Sequence, residues 1–256
     1  MQPLALDQWI AAVVFVGLRI GGVMIFPPFF GSGAITLPLK AGLTLALTAL
    51  LYPVAGVVGI HASPVGWVHV AVTETVIGLM LGLTMQFIFD AAQFAGQVVG
   101  VQTGFSLITI LDPQTQADTP VLGIFQQLVA LLIFFQLNVH HWLLRGLAAS
   151  FNYVPPGASL MRGTAVEGLL HAAGGIWLAG LEIAAPVIVA TMVADVALGF
   201  LGKASPQLPV VLVGLSVKNL LGLAVLAGSL TVWPRTFERY FAQAIGQGER
   251  LLHLAR

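Results

Sequence analysis

Val121-Leu-Gly-Ile-Phe-Gln-Gln-Leu-Val-Ala-Leu-Leu-Ile-Phe-Phe-Gln-Leu-Asn-Val-His-His-Trp-Leu-Leu144 contains no charged side chain. At 1.5 Å of rise per helical residue it is about long enough to cross roughly 30 Å of hydrocarbon, which makes it the clearest membrane span in the sequence. The rest of the chain has the same character. Of 256 residues, 58% are apolar and 8% are charged, with a mean hydropathy of +0.96, against about 25% charge in a soluble domain. Ten Lys+Arg balance ten Asp+Glu, so no basic excess drives binding to nucleic acid and no acidic tail marks a solvating segment. The absence of Cys removes disulfides, thiolate metal sites and Cys nucleophiles, and leaves the redox compartment unread. The fold class expected is an all-α membrane protein of about six long apolar helical segments and an amphipathic C-terminal helix, forming a single helical membrane domain over residues 1–256.

Outward from Val121, the segments follow from Pro, Gly and charge. The first runs from about Gln8 to Phe26 and stops at Pro27-Pro28, which lack N–H groups. With Asp7 where a cleavable signal would be basic, and Arg19 inside the apolar stretch, it is expected to be retained. Residues 41–73 carry no charge and are divided by Pro53, Gly56, Gly59 and His61-Ala62-Ser63-Pro64 into segments two and three. Segment three continues past Glu74 to Asp90, and the stretch 91–104 stays helical in pattern but carries Gln93, Gln97 and Gln102 along one side. Amides so placed are expected to face protein or water rather than lipid. Residues 105–120 read as a loop. Beyond Arg145, Pro155-Pro156, Arg162 and Glu167, segment five runs from about Leu169 to Leu201, and the turn 202–209 joins it to segment six, Val210 to Val232, as a helical hairpin. From Arg235 on, Phe237, Tyr240, Phe241, Ala244, Ile245, Leu251 and Leu252 recur at helical spacing opposite Glu238, Arg239, Gln243, Gln247 and Arg250. Composition leaves open whether this terminal helix lies in the membrane interface or against a partner subunit.

The informative side chains are ionisable groups inside apolar runs: Arg19, Glu74, Asp90, Glu182, Asp195 and Lys218. Each costs a few kcal/mol at mid-membrane and requires a partner or a water-filled cavity. An ion or substrate path is one reading, and pairing between helices or placement nearer the interface is the other. Glu182 and Asp195 are thirteen residues apart and point to roughly opposed faces of one helix, so they do not form an acid–base dyad by themselves. His140-His141 diverge by about 100° with no third ligand at useful spacing, and read as an aromatic pair at a helix end near Trp142 rather than as a metal site. HExxH, GxxxxGK[ST] and GxSxG are absent, so no catalytic, cofactor or metal residue is assigned. Gly17/Gly21, Gly78/Gly82 and the ladder Gly96/Gly100/Gly104 have the spacing that permits close helix approach. With 29 Gly in the chain such pairs arise by chance, and only the ladder beside the glutamines is kept as a sign of tight packing.

Three stretches resemble the FliR/SctT family of the type III secretion export apparatus, over nearly the whole chain. They are Phe26-Pro27-Pro28-Phe29-Phe30-Gly31-Ser32 with Ala41-Gly42-Leu43; Gly104-Phe105-Ser106 through Asp112-Pro113-Gln114 to Thr119-Pro120-Val121-Leu122; and Ala204-Ser205-Pro206-Gln207 with Val217-Lys218. The second is the most specific, and Leu137 to Leu144 with Ser150-Phe151 looks more like the flagellar (FliR) than the injectisome (SctT) branch. The resemblance implies a non-enzymatic subunit, without a cofactor, that joins FliP and FliQ, and associates with FlhB and FlhA, in a right-handed helical assembly at the flagellar basal body. One copy would close that ring in the bacterial inner (cytoplasmic) membrane, forming the gate through which unfolded flagellar proteins are exported. Residues 1–151 would be FliP-like, 165–233 a FliQ-like hairpin and 235–256 the tail helix.

The same resemblance makes loop 105–120 a plug in the pore, with Phe105, Leu107, Ile108, Ile110, Leu111, Asp112, Pro113, Gln114 and Pro120 as its working residues. A polar loop of this length has no place in lipid, where its backbone groups would go unsatisfied. Buried polar or subunit contacts are expected at Arg19, Glu74, Asp90, Gln93, Gln97, Glu182, Asp195 and Lys218, and a cytoplasmic-face turn at Lys203, Pro206 and Gln207. Gly33, Thr36 and Pro38 stand where relatives often have Arg, Pro and Arg, and Pro209 and Ser216 replace the usual Asn and Pro. The positive-inside rule, counted over six crossings, puts both termini in the cytoplasm, whereas the family places the Lys203 turn there. The family is followed, because helices surrounded by subunits need not each cross lipid. A rival from another class is an ion-coupled small-solute transporter using Glu182 and Asp195 as a proton relay; no repeat between the two halves of the chain supports it.

Overall fold

The computed structural model describes residues 6–31, 35–55, 64–105, 121–156, 163–205, 207 and 209–255, and these contain helices and no strand. The helices are α1 (Leu6–Val23), α2 (Pro28–Gly31), α3 (Leu37–Leu51), α4 (Pro64–Thr103), α5 (Val121–Gln136), α6 (Val139–Tyr153), α7 (Gly163–Ala204), α8 (Val210–Ser229) and α9 (Trp233–Ala255). The chain is an all-α membrane protein. Two helices, α4 and α7, are long and apolar enough to cross a bilayer alone; α5 with α6 and α8 with α9 qualify as bent pairs, and α1 and α3 are shorter apolar helices.

Most expected segment boundaries hold to within a few residues; segment five begins about six residues earlier than expected, at Gly163 rather than Leu169, so that Glu167 lies in the helix and not in the connection. Two further differences have physical causes. Segment one stops at Val23 rather than Phe26, because Pro28 starts a new helix at its first position, where a missing N–H costs nothing. The charge-free run from Val121 to Leu144 is not one straight helix. It bends by 71° between α5 and α6, where Asn138 takes the left-handed conformation, φ 55° and ψ 30°. Asn is the non-glycine residue that enters this region at least cost, through its short polar side chain.

The chain forms two compact units, each assembled from separated stretches. The first comprises Met1–Ile88, Asn138–Gly174 and Tyr240–Arg256. In it α1 runs antiparallel to α3, with Gly17 and Gly21 facing Thr48 and Thr44 and Trp9 edge-on to Tyr52. On its other side α1 runs parallel to α4, from Phe15 against Trp67 to Val23 against Gly82. The second unit comprises Phe89–Leu137 and Gly175–Arg239. There α5 runs antiparallel to α4, with backbone meeting backbone at Gly96 and Gly123 and Phe89 edge-on to Phe134. Gly180 of α7 fits over Ala91 and Phe94 of α4, and α7 and α8 pair as an antiparallel hairpin through Leu198 against Gly214 and Val187 against Gly222. Hydroxyls within these helices turn back on their own backbone, as Thr48 does to the Thr44 carbonyl and Thr191 to that of Val187, which satisfies them without water.

Candidate functional site

Arg19 is the largest fully buried side chain among the described residues. Its place is set by glycines. A Cβ on Gly78 would overlap the Arg19 carbonyl, and one on Gly22 would run into the backbone of Thr75 and Leu79, so α1 and α4 approach to backbone contact at this level. Glu74 lies one helical turn before Gly78 and is carried to the same level. Arg19 Nε donates to Glu74 Oε2 at 2.6 Å, with both side chains buried. Its other nitrogens reach α6: Nη1 donates to Ser150 Oγ at 3.1 Å and Nη2 to the Val154 carbonyl at 2.8 Å. Ser150 Oγ in turn donates to the Leu147 carbonyl at 2.6 Å. The Phe151 ring lies under the guanidinium carbon, 4.4 Å from centroid to Cζ.

Each contact answers one cost of burying charge. The carboxylate neutralises the cation, and the Ser150 and Val154 oxygens take N–H groups that would otherwise be stranded. The cation also stands at the C-terminal end of α6, where carbonyls concentrate partial negative charge. The ring face adds a further electrostatic attraction, stronger once water is excluded. Arg rather than Lys suits this place, because its planar group sends donors to three acceptors in fixed directions. The cluster is closed to solvent, so it joins α1, α4 and α6 and does not present a reacting group.

Ion pairs also lie at the hairpin of the second unit. Lys218 Nζ on α8 donates to Asp195 Oδ2 on α7 at 2.9 Å. Arg239 on α9 donates through Nη2 to Glu182 Oε1 on α7. The Glu182 and Asp195 side chains are about half exposed, at 50% and 49%, so these pairs are open to whatever covers the hairpin. Glu182 and Asp195 are not brought together: each has a cation of its own. Asp90 and Gln93 are half-buried and Gln97 is exposed on α4; Lys203 and Gln207 are exposed at the hairpin turn. Phe105 is half-buried just past α4, where Gly104 has φ 88° and ends the helix. Leu107, Ile108, Ile110, Leu111, Asp112, Pro113, Gln114, Pro120 and Pro206 lie outside the described residues. The His140 and His141 rings are 4.2 Å apart and tilted, and no cluster of three or more metal-ligating side chains occurs among the described residues.

Sequence reasoning picked out Arg19 and Glu74 separately but missed their pairing, and missed Ser150, Phe151, Val154 and Arg239 as partners. The usable signal is Gly78, one turn from Glu74, whose missing side chain allows the close approach of α1. Gln126 was missed altogether: it is fully buried, and neither end of its amide finds a hydrogen-bond partner among the described residues.

A helical membrane protein whose embedded charges tie helices together is the class these features define. The sequence matches the family described as Bacterial export proteins, family 1, over residues 10–244, and the chain belongs to that family. Among its relatives is the flagellar biosynthetic protein FliR of Escherichia coli (strain K12), 28% identical over 92% of this chain and 90% of the relative. FliR of Pectobacterium carotovorum subsp. carotovorum is 30% identical over the same shares, and FliR of Bacillus subtilis (strain 168) is 27% identical over 95% of each. The resemblance to FliR read from the sequence motifs is thus upheld, and with it the export family and the membrane-embedded, flagellar character of the chain. The family is one of export proteins rather than of enzymes.

Proposed function

We propose that the chain is a pore-forming subunit of the flagellar type III export gate in the bacterial inner membrane, one copy joining FliP and FliQ, with FlhB and FlhA as further neighbours. The carrying observation is the length and exposure of α7. Its 42 residues extend about 63 Å, roughly twice the hydrocarbon thickness of a bilayer. Large apolar side chains are exposed along both halves, from Leu170, Trp177 and Leu178 to Val193, Val196 and Phe200. Lipid can cover only one such half at a time; apolar surface beyond the membrane is covered by other protein. The half-exposed Asp195, paired with Lys218 in the middle of the hairpin, supports the same reading, since such a pair is tolerated best against neighbouring subunits.

In this reading residues 1–151 act as a FliP-like protomer and 165–233 as a FliQ-like hairpin with Lys203 and Gln207 at the cytoplasmic face. Residues 105–120 plug the lumen until an unfolded substrate displaces them. The transporter reading loses support from the geometry of its proposed relay, because Glu182 and Asp195 stand thirteen residues apart on one helix and each is paired with a different cation. Shortening residues 108–118 in cells that assemble the complex tests the plug. Increased leakage of small solutes with normal complex formation is expected; unchanged permeability in a normally assembled complex removes the plug assignment.

A further inference from the structure

The bend between α8 and α9, 65°, leaves an open crevice of about 550 Å3 against the stretch of α7 around Pro186. This is within the range of about 300–1,000 Å3 common for small-ligand sites. Its walls are mostly apolar, from Ile183, Pro186, Val225 and Val232, and the lining hydroxyls of Ser229 and Thr236 are turned onto their own helix backbones. Gly228 also lines it, with nothing within 4 Å of where a Cβ would be. At the edge stands Glu182, and Arg239 reaches across to that carboxylate. Both side chains are about half exposed.

Helix lengths fix the depth of this crevice, given the membrane-crossing hairpin that the preceding reading assumes. From Ala204 back to Glu182, α7 rises roughly 33 Å, and the 20 residues of α8 rise about 30 Å. Both match the roughly 30 Å hydrocarbon core of a bilayer. With Lys203 at one face, the Glu182–Arg239 pair therefore falls at the headgroup level of the other, where α9 turns away and begins its polar face with Arg235, Glu238 and Arg239. We propose that the crevice is a phospholipid site, holding an acyl chain against Ile183, Pro186 and Val225 and a zwitterionic headgroup at the Glu182–Arg239 pair, with phosphatidylethanolamine as the occupant.

Charge complementarity selects the head. Among the described residues Glu182 is the one charged side chain lining the crevice, and Arg239 is its cation, so the pair attracts neither an anionic nor a cationic lipid. A head with both charges satisfies both sides: the guanidinium has five N–H donors, enough to hold Glu182 and a phosphate together, and the ammonium donates to the carboxylate.

Native mass spectrometry of the full chain, equilibrated in mixed micelles with equal phosphatidylethanolamine and phosphatidylglycerol, tests the site. One phosphatidylethanolamine per chain is expected to survive detergent exchange. Val225→Trp, which fills the crevice, and Arg239→Gln, which removes the phosphate donor from an exposed position, are each expected to lower that retention about tenfold, equivalent to about 1.4 kcal/mol. Leu45→Trp on the exposed face of α3 serves as the control and leaves it unchanged. Equal retention of the two lipids, or full retention in a folded Val225→Trp chain, overturns the proposal; Arg239→Gln keeps the test decisive should Val225→Trp misfold. Side-specific labelling of Lys203→Cys and Arg235→Cys in vesicles tests the crossing separately. Labelling from opposite sides without lipid retention overturns the lipid site alone, whereas labelling from one side overturns the membrane placement on which it rests.

Discussion

Gly78 of α4 lies directly on the carbonyl of Arg19 in α1, leaving no room for a Cβ. This contact brings Glu74 to the Arg19 guanidinium, and through Arg19 fixes the end of α6. Replacing Gly78 by Ala must push two backbones apart rather than displace a flexible side chain, and it stretches the ion pair at the same time. Gly42 on α3 has nothing within 4 Å of a built Cβ. The expected result is opposite effects from the same substitution. Gly78→Ala loses about 3 kcal/mol or more, in the range of overpacking with a damaged buried pair, while Gly42→Ala gains about 0.5–1 kcal/mol from helix propensity. Unfolding of the isolated chain by SDS titration in mixed micelles measures both.

The Arg19–Glu74 pair is expected to be costly to break and inexpensive to remove as a unit. Arg19→Met and Glu74→Leu each leave one buried charge without its counterpart and lose about 3–5 kcal/mol; the double variant recovers most of that loss. The same unfolding assay, run as a double-mutant cycle, gives the coupling. Additive losses would mean that the two side chains act independently.

The left-handed turn at Asn138 separates α5 from α6. Glycine adopts φ 55° without a Cβ penalty, so Asn138→Gly is expected to retain stability and the bend. Asn138→Val places a β-branched residue there and costs about 1–2 kcal/mol. Circular dichroism melting in detergent distinguishes the two variants.

Gln126 buries an amide for which no hydrogen bond is formed among the described residues. Gln126→Leu keeps a similar volume and removes the desolvated group, so stability is expected to rise by about 1 kcal/mol. A loss of that size instead would show that the amide is held by a buried water or by a part of the chain outside the described residues.

The helical elements were legible in the sequence because Pro, Gly and charge punctuate long apolar runs. Pro27-Pro28 marked the end of the first helix to within a few residues, Pro206 and Pro209 marked the hairpin turn, and the alternating faces of residues 235–252 announced α9. The break at Asn138 was not legible, since the surrounding run from Val121 to Leu144 is uniformly apolar and one backbone dihedral decides it. The joint at Arg19 was half legible. An arginine in an apolar helix advertises that it needs a partner, but periodicity within one helix says nothing about which other helix supplies it. Glu74, Ser150 and Val154 are 55, 131 and 135 residues away in sequence, and only close backbone packing through Gly22 and Gly78 brings them together. For the terminal helix, composition left lipid and protein equally open; the structure shows Phe237 and Phe241 fully buried within the chain, with Glu238, Arg239 and Gln243 exposed.

The mass of the intact complex purified in mild detergent, after expression of this chain together with its FliP and FliQ counterparts, tests the central claim most directly. A single assembly holding one copy of this chain with several copies of each partner is the result expected if the exposed apolar length of α7 is covered by neighbouring subunits. A stable lone monomer that leaves both partners behind would contradict it.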